Sequence, residues 1–408
     1  MSTQVSDDVL DGHQAVAAPP TSVRTILRGL ARADSATHVG VAQVLVGIAA
    51  IWAVFYFLNP NFLSATNLTN LALQIAAVAT ISIGVVLVLL IGHIDLSVGS
   101  ISGLAATVMA ALSVHAGLPG PVAIILALCC GLLIGLVQGL IVAAFAIPSF
   151  VVTLGGLIGW QGLQLLIFDS TGAMNLGDPS ILGLTNTFFQ PWVGWVLTLA
   201  VVLATGAATA RRRRRRAQLG LPNVPAIIDV VRLGILAVAI VTVILVFGVS
   251  RGIPLSVVIV LALVVVTDFV AQRTLFGRRI YAVGGDAQAA ARVGMNVNRI
   301  TVQVFVLASA FAALGGILSA SRLTSVTQSA GSGDILLIAI AGAVIGGTSL
   351  FGGRGSIWSA LLGALVIGSI SNGMDLLALP SPVKLMITGA VLIAAVVFDA
   401  VMRRRRAH

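Results

Sequence analysis

Charge is almost missing from long stretches of this chain, and that limits the folds open to it more than any motif does. Only 9% of its 408 residues are Asp, Glu, Lys or Arg, and 58% are hydrophobic, whereas about a quarter of an ordinary soluble domain is charged. A helix that crosses a bilayer needs about 20 apolar residues. Apolar runs lie at 39–58, 70–91, 97–114, 122–147, 149–168, 192–210, 227–248, 254–272, 301–320, 334–348, 357–375 and 383–401. Read as spans, these twelve runs make an all-α polytopic membrane protein with one transmembrane domain over 39–401 and a short basic tail at 402–408. Residues 1–38 are polar, with Pro19, Pro20, Arg24, Arg28 and Arg32. They lack the apolar core and cleavage site of a signal peptide and read as a disordered cytoplasmic tail.

The formal charge of +10 could suggest nucleic acid, yet the arginine blocks at 211–216 and 403–406 carry ten positive charges between them, and each directly follows an apolar run. Basic residues at span ends are what the positive-inside rule produces, with anionic lipid as their natural neighbour and no nucleic-acid partner implied. With the N-terminus inside, the alternation gathers Arg24 to Arg32, the block at 211–216, Arg273, Arg278, Arg279, Arg292, Arg299, Arg354 and the block at 403–406 on one face. The other face receives only Arg251, Arg322 and Lys384. Two places resist a simple crossing: the polar segment 92–97 (GHIDLS) and the short run 334–348. Broken or re-entrant helices fit both, because irregular backbone is tolerated at membrane depth where protein or a water-filled cavity surrounds it.

The chemistry available to the chain is narrow. Cys129 and Cys130 are adjacent in an apolar run and the five histidines are scattered, so neither a disulfide framework nor a metal site is expected. Asp229, Arg232, Asp268, Asp334, Asp375 and Asp399 fall near span ends, which weighs against the buried acids of ion-coupled transport. A phosphate-binding Walker loop needs a lysine after its glycines, and the only lysine is Lys384, in apolar sequence. The glycine-rich run 346–355 (GGTSLFGGRG) lacks that lysine and reads as a tight turn that allows close helix packing. No nucleophile and base can be paired for an enzyme acting within the membrane.

One polar interruption is too long for a turn. Residues 277–298 (GRRIYAVGGDAQAAARVGMNVN) hold Asp286 as a helix cap, an alanine-rich run over 287–292, Arg292 in its last turn and Gly294 as its stop. A helix of about 9 Å does not repay its own nucleation cost and has to be held by something. Its alanines suit insertion into the groove of another protein, with a solvated loop and incidental helix as the plain alternative.

The segment GGDAQAAARVGMNVNRI, the span TVQVFVLASAFAALGGILSASRL and the run AIAGAVIGGTSLFGGRGSIWSALLGALVIGSISNGMDLL together resemble the membrane subunit of sugar ATP-binding-cassette importers of the ribose/xylose type. GHIDLSVGSISGL is similar to the Gly-x-Ile-Asp-Leu-Ser-Val-Gly segment of that family, with His93 where glycine is common. The resemblance covers about 70–168 and 254–401, and the extra pair of spans at 192–248 is similar to the longer D-xylose permeases. It implies a type II importer-like permease acting as a homodimer in the plasma membrane, with both termini cytoplasmic. It further implies two cytoplasmic ATPase subunits that carry ATP and Mg2+, and an extracytoplasmic sugar-binding protein. The permease itself would have no cofactor and no catalytic residue. Within the loop at 273–300, Gly285, Asp286, Ala289, Ala290, Arg292 and Gly294 would form the segment that couples to the ATPase.

A sugar is uncharged and polyhydroxylated, so a neutral route of small, hydroxyl and amide side chains is expected. Asp95 and Ser97, after the second span, and Asn372 and Asp375, at the end of the eleventh, are its candidates. Asp95 has a second reading as the cap of the next helix, and Asn372 as a helix-to-helix hydrogen bond. A self-sufficient secondary transporter or channel is the rival function, and flux driven by an ion gradient through this chain alone would identify it.

Overall fold

The computed structural model describes residues 35–168, 172–221 and 225–407. Most of the expected N-terminal tail, 1–34, lies outside the described residues. Each of the twelve apolar runs is a helix: α1 (Ser35–Leu58), α2 (Ala65–Leu90), α3 (Val98–Val114), α4 (Gly120–Phe145), α5 (Ser149–Phe168), α7 (Pro191–Gln218), α8 (Ala226–Val249), α9 (Leu255–Arg273), α12 (Val297–Leu323), α13 (Gly333–Ile345), α14 (Trp358–Leu376) and α15 (Ser381–Ala407). Among the described residues, eight helices are long and apolar enough to cross a membrane by length and composition, and α3 and α13 are shorter apolar helices. The helix α15 carries its backbone through the basic cluster at 403–406 without a break.

Three further helices lie in the connections: α6 (Pro179–Asn186), α10 (Leu275–Gly285) and α11 (Ala287–Arg292). Helix α10 departs from the sequence reading, which placed only one short helix in this polar loop. The apolar residues of α10 follow helical spacing, with Ile280 and Val283 buried, but its arginines and glycines mask the pattern. Two antiparallel ribbons complete the fold. Strand β1 (Ala173–Asn175) pairs with β4 (Ser325–Thr327), and β2 (Phe188–Phe189) pairs with β3 (Ile253–Pro254).

A helix that is apolar on every side over most of its length belongs inside a bundle, and α2 beyond its first polar turns is that helix, 89% buried over its most apolar stretch. Ser64 caps its start by accepting the Asn67 N–H, and its 26 residues span about 39 Å. Helix α12 packs against α2, α3 and α4, and α14 closes on α2 from another side. Membrane helices associate without a hydrophobic drive between them, so small residues that let backbones touch carry the packing. A Cβ on Gly316 of α12 would collide with the Ser102 carbonyl oxygen of α3, and one on Gly363 of α14 would collide with the Gly342 oxygen of α13.

The inserted run at 192–248 folds as the hairpin α7–α8 beside α2. Arg213 and Asp229 form an ion pair at 2.6 Å near the tip of this hairpin. Trp192, Leu199, Ile235 and Val238 leave a broad apolar outer face, as contact with lipid requires. Both irregular places in the sequence are breaks here: α2 ends before 91–97, and α13, at 13 residues, covers only about 20 Å.

Gly316→Val is expected to destabilise the protein by about 1–3 kcal/mol or more, because the Ser102 backbone cannot give way. Gly159→Val on α5, where an added Cβ meets nothing within 4 Å, should leave thermal unfolding in detergent unchanged.

Candidate coupling surface and transport cavity

Asp286 makes the corner between α10 and α11. Its backbone is extended, its N–H closes α10 on the Ala282 oxygen at 3.2 Å, and its Oδ1 opens α11 by accepting the Ala289 N–H at 2.9 Å. The corner therefore has a fixed angle. Gly294, at φ +83°, ends α11, and the Met295 N–H returns to the Ala290 oxygen at 3.1 Å, the kind of left-handed stop that glycine favours. Asn296 then caps α12 by accepting the Arg299 N–H at 2.9 Å. Of the expected coupling residues, Ala290 is buried and anchors the turn, while Gly285, Asp286, Ala289, Arg292 and Gly294 face solvent. Val293 beside them is 74% exposed, an apolar side chain in the open that the sequence reading did not single out.

This corner is joined to the bundle by backbone contact. The Leu90 carbonyl at the end of α2 accepts the Gly353 N–H at 2.9 Å, and Gly284 lies so close to that same oxygen that a Cβ there would overlap it. Gly352, at φ +85°, lies against Gly284 and Gly92, and the Tyr281 hydroxyl donates to the Gly355 carbonyl at 3.0 Å. The run 346–355 is thus the turn that seats the corner on α2. Arg278, Arg279, Arg292, Arg299 and Arg354 all belong to this end of the protein.

Segment 91–97 leaves α2 at the same end, and the N–H groups of His93, Ile94, Leu96 and Ser97 each have a partner of their own. The His93 N–H returns to the Val88 oxygen at 3.1 Å. Ser149 and Thr153, one turn apart on α5, accept the Ile94 and Leu96 N–H groups at 3.1 and 3.0 Å. Asp95 Oδ1 accepts both the Ser97 N–H (2.8 Å) and its hydroxyl (2.6 Å), and the Ser97 hydroxyl lies 3.0 Å from the side-chain nitrogen of Gln138. Asp95 and Ser97 are therefore together and buried at the start of α3. The ring of His93 meets Phe305 of α12 edge-on, with centroids 6.1 Å apart.

The other candidate pair lies beside the first turns of α2, at the opposite end of that helix. There Asn372 and Asp375 line a polar cavity of about 510 Å³ with Asn67, Asn70, Gln74, Arg251 and Arg322. Asn372 Oδ1 also accepts from Asn67 Nδ2 at 2.8 Å, so this side chain is both a helix-to-helix hydrogen bond and part of the cavity wall. Asp375 is ion-paired with Lys384 of α15. All three basic residues that the alternation assigned to the poorer face, Arg251, Arg322 and Lys384, surround this mouth. Helix α6 borders it through Thr185 and Asn186. Asp178 caps α6, and its Oδ2 accepts the Gly120 N–H of α4 at 2.8 Å. The Ser180 hydroxyl, followed by these backbone N–H groups, holds the Asp178 carboxyl below the usual carboxylate range.

A second cavity, of about 250 Å³, continues inward between α2, α3, α12 and β4, and shares Gln74 and Arg322 with the first. Asp95 and Ser97 line neither cavity. Beyond Ile81 every residue of α2 is buried through to Leu90, so the cavity stops about two-thirds of the way along the helix. Asn67, Asn70 and Gln74 were legible only as polar residues at helical spacing within an apolar run. Among the described residues no cluster of three His, Cys, Asp or Glu could hold a metal ion.

Comparison with known proteins agrees with this architecture. The xylose transport system permease protein XylH of Escherichia coli (strain K12) is 36% identical over 367 residues, covering 89% of this chain and 93% of that protein. XylH of Haemophilus influenzae is 33% identical over 364 residues, covering 89% and 96%. The ribose import permease protein RbsC of Bacillus subtilis (strain 168) is 34% identical over 363 residues, covering 88% and 94%. No solved structure matches the chain. Residues 67–396 match the family described as the permease component of branched-chain amino acid transport systems, and the chain belongs to that permease family.

Proposed function

We propose that this chain is the membrane-spanning subunit of an ATP-binding-cassette importer that carries a monosaccharide, with D-xylose or a related pentose as cargo. The observation that carries the reading is a single helix, α2, with a polar cavity at its first turns and a solvent-facing helical corner locked to its last carbonyl. The names of the similar permeases, xylose first and ribose next, support the sugar. Ribose, arabinose or galactose is the alternative cargo.

In this reading the α10–α11 corner inserts into a cytoplasmic ATPase subunit, which binds ATP and Mg2+. Asp286, Ala289 and Arg292 form the exposed contact, Gly285 keeps its near side open, and Gly294 supplies the left-handed stop on the other. Two copies of the chain work with two ATPases in the plasma membrane, both termini cytoplasmic, and an extracytoplasmic binding protein delivers the sugar at the mouth lined by Asn372 and Asp375. Asp95 and Ser97 contribute by holding the break after α2, which any passage at that end has to rearrange. No bond is made or broken in this subunit. ATP binding favours one of two packings, and the free energy enters only as that preference. Because Gly284, Gly352 and Gly92 touch through backbone, a shift of the corner acts on the end of α2 and on the 346–357 turn together.

Replacing Asp286 and Gly294 together by alanine removes a cap worth about 1 kcal/mol and a left-handed stop worth about as much. Uptake of labelled xylose by the assembled importer should fall at least about tenfold, with the chain still present in the membrane; unchanged uptake would count against the coupling role. Gly284→Ala should lower the sugar moved per ATP hydrolysed and the thermal midpoint together. Gly285→Ala, where the added methyl meets nothing within 4 Å, should leave that midpoint unchanged.

A further inference from the structure

The two cavities share Arg322 and Gln74, and neither the sequence motifs nor the relatives' names single out Gln74. Gln74 lines the outer cavity, the inner cavity and a third small recess against α14. It ends the polar stripe of α2. Asn67, Asn70 and Gln74 follow one another at helical spacing, and the positions that continue the same face, Ala77, Val78 and Ile81, are apolar. Arg322, from the last turn of α12, is the charged side chain shared by both cavities.

We propose that Gln74, faced by Arg322, is a polyol-binding waist in the transport route, where a neutral monosaccharide exchanges its water for protein hydrogen bonds before it enters the narrower chamber. The inference rests on the sugar-permease reading and names the residue at which that route selects its cargo. A sugar hydroxyl is both donor and acceptor, and a primary amide meets both needs at once, with two donors on its nitrogen and an acceptor oxygen beside them. Arg322 adds donors only. Below the waist the walls are mainly small and apolar, with hydroxyls from Ser102, Ser319, Ser325 and Thr327 among them, so the amide at the entrance is the largest neutral hydrogen-bonding group that a polyol shedding water meets there. A polar group stripped of water without a partner is costly, which makes the waist a filter for hydroxyl pattern. An amide contact of this kind is also weak enough to release the sugar, as a carrier requires.

The test uses the full chain with its ATPase and binding protein. Cys129 and Cys130 are the only cysteines and are first changed to Ala. In that background Gln74→Cys is expected to react with a small water-soluble methanethiosulfonate, and Ile83→Cys, on the buried part of α2, is not. D-xylose in excess should slow labelling at position 74, and sucrose should not. Gln74→Met, which keeps the length and loses the amide, should cut maximal xylose uptake about tenfold while ATP hydrolysis stimulated by the binding protein is retained. Gln74→Asn should restore part of the uptake.

An unreactive Gln74→Cys protein, or a Gln74→Met protein with unaltered uptake, overturns the waist. Labelling that xylose does not slow, in a protein that transports xylose, overturns it as well. If the unaltered protein moves no monosaccharide while the Gln74→Cys protein still labels, the sugar reading fails and takes the polyol waist with it, leaving a water-accessible cavity only.

Discussion

The last carbonyl of α2 is the contact on which the rest of this structure depends. A helix that ends inside a bundle leaves carbonyl groups without intrahelical partners, and in apolar surroundings they have to be satisfied by neighbouring protein. Leu90 solves this by accepting the Gly353 N–H while Gly284 lies against the same oxygen. One backbone atom thus joins the central helix, the turn between α13 and α14, and the solvent-facing corner. No side chain intervenes that could absorb a displacement by changing rotamer. The corner and the helix are mechanically one piece, and α2 is also the wall of the cavities at its other end.

The break at 91–97 follows the same rule by different means. Where α2 meets Gly353 through backbone, the N–H groups of residues 94 and 96 meet the hydroxyls of Ser149 and Thr153 on α5, and Ser97 meets the carboxylate of Asp95. An irregular segment among buried helices persists because most of its donors have partners, although Asp95 Oδ2 is buried without one. Those partners are hydroxyls and a carboxylate that could also be satisfied in another arrangement. The α2–α3 junction is accordingly well suited to exist in two packings, as an alternating carrier needs.

The candidate site was only partly legible in the sequence. The corner at Asp286 was readable because a capping residue, an alanine run and a glycine stop are local signals that act within a few positions. The helical nature of α10 was not, since its buried face, Ile280 and Val283, is defined only by what it packs against. Asn372 could be read as a helix contact or as a cavity residue, and it is both. Asp95 and Asn372 read alike as polar residues near span ends, yet they lie at opposite ends of α2, because side chains in similar sequence surroundings can be turned toward quite different neighbours.

By itself the sequence determined the class of the protein, the twelve helices, the places where two of them break, the gathering of arginine at one end and the exposed corner. Hydropathy, helical spacing, capping and charge bias are properties of short segments, so they survive in the sequence without knowledge of neighbours. Only the tertiary structure decided that Gly284 meets Leu90 and that Gln74 and Arg322 face one cavity. Each of those facts joins residues far apart in the chain through close backbone approach or a shared void. Such pairings are fixed by how small residues let whole helices pack, and that is settled only when the bundle is assembled.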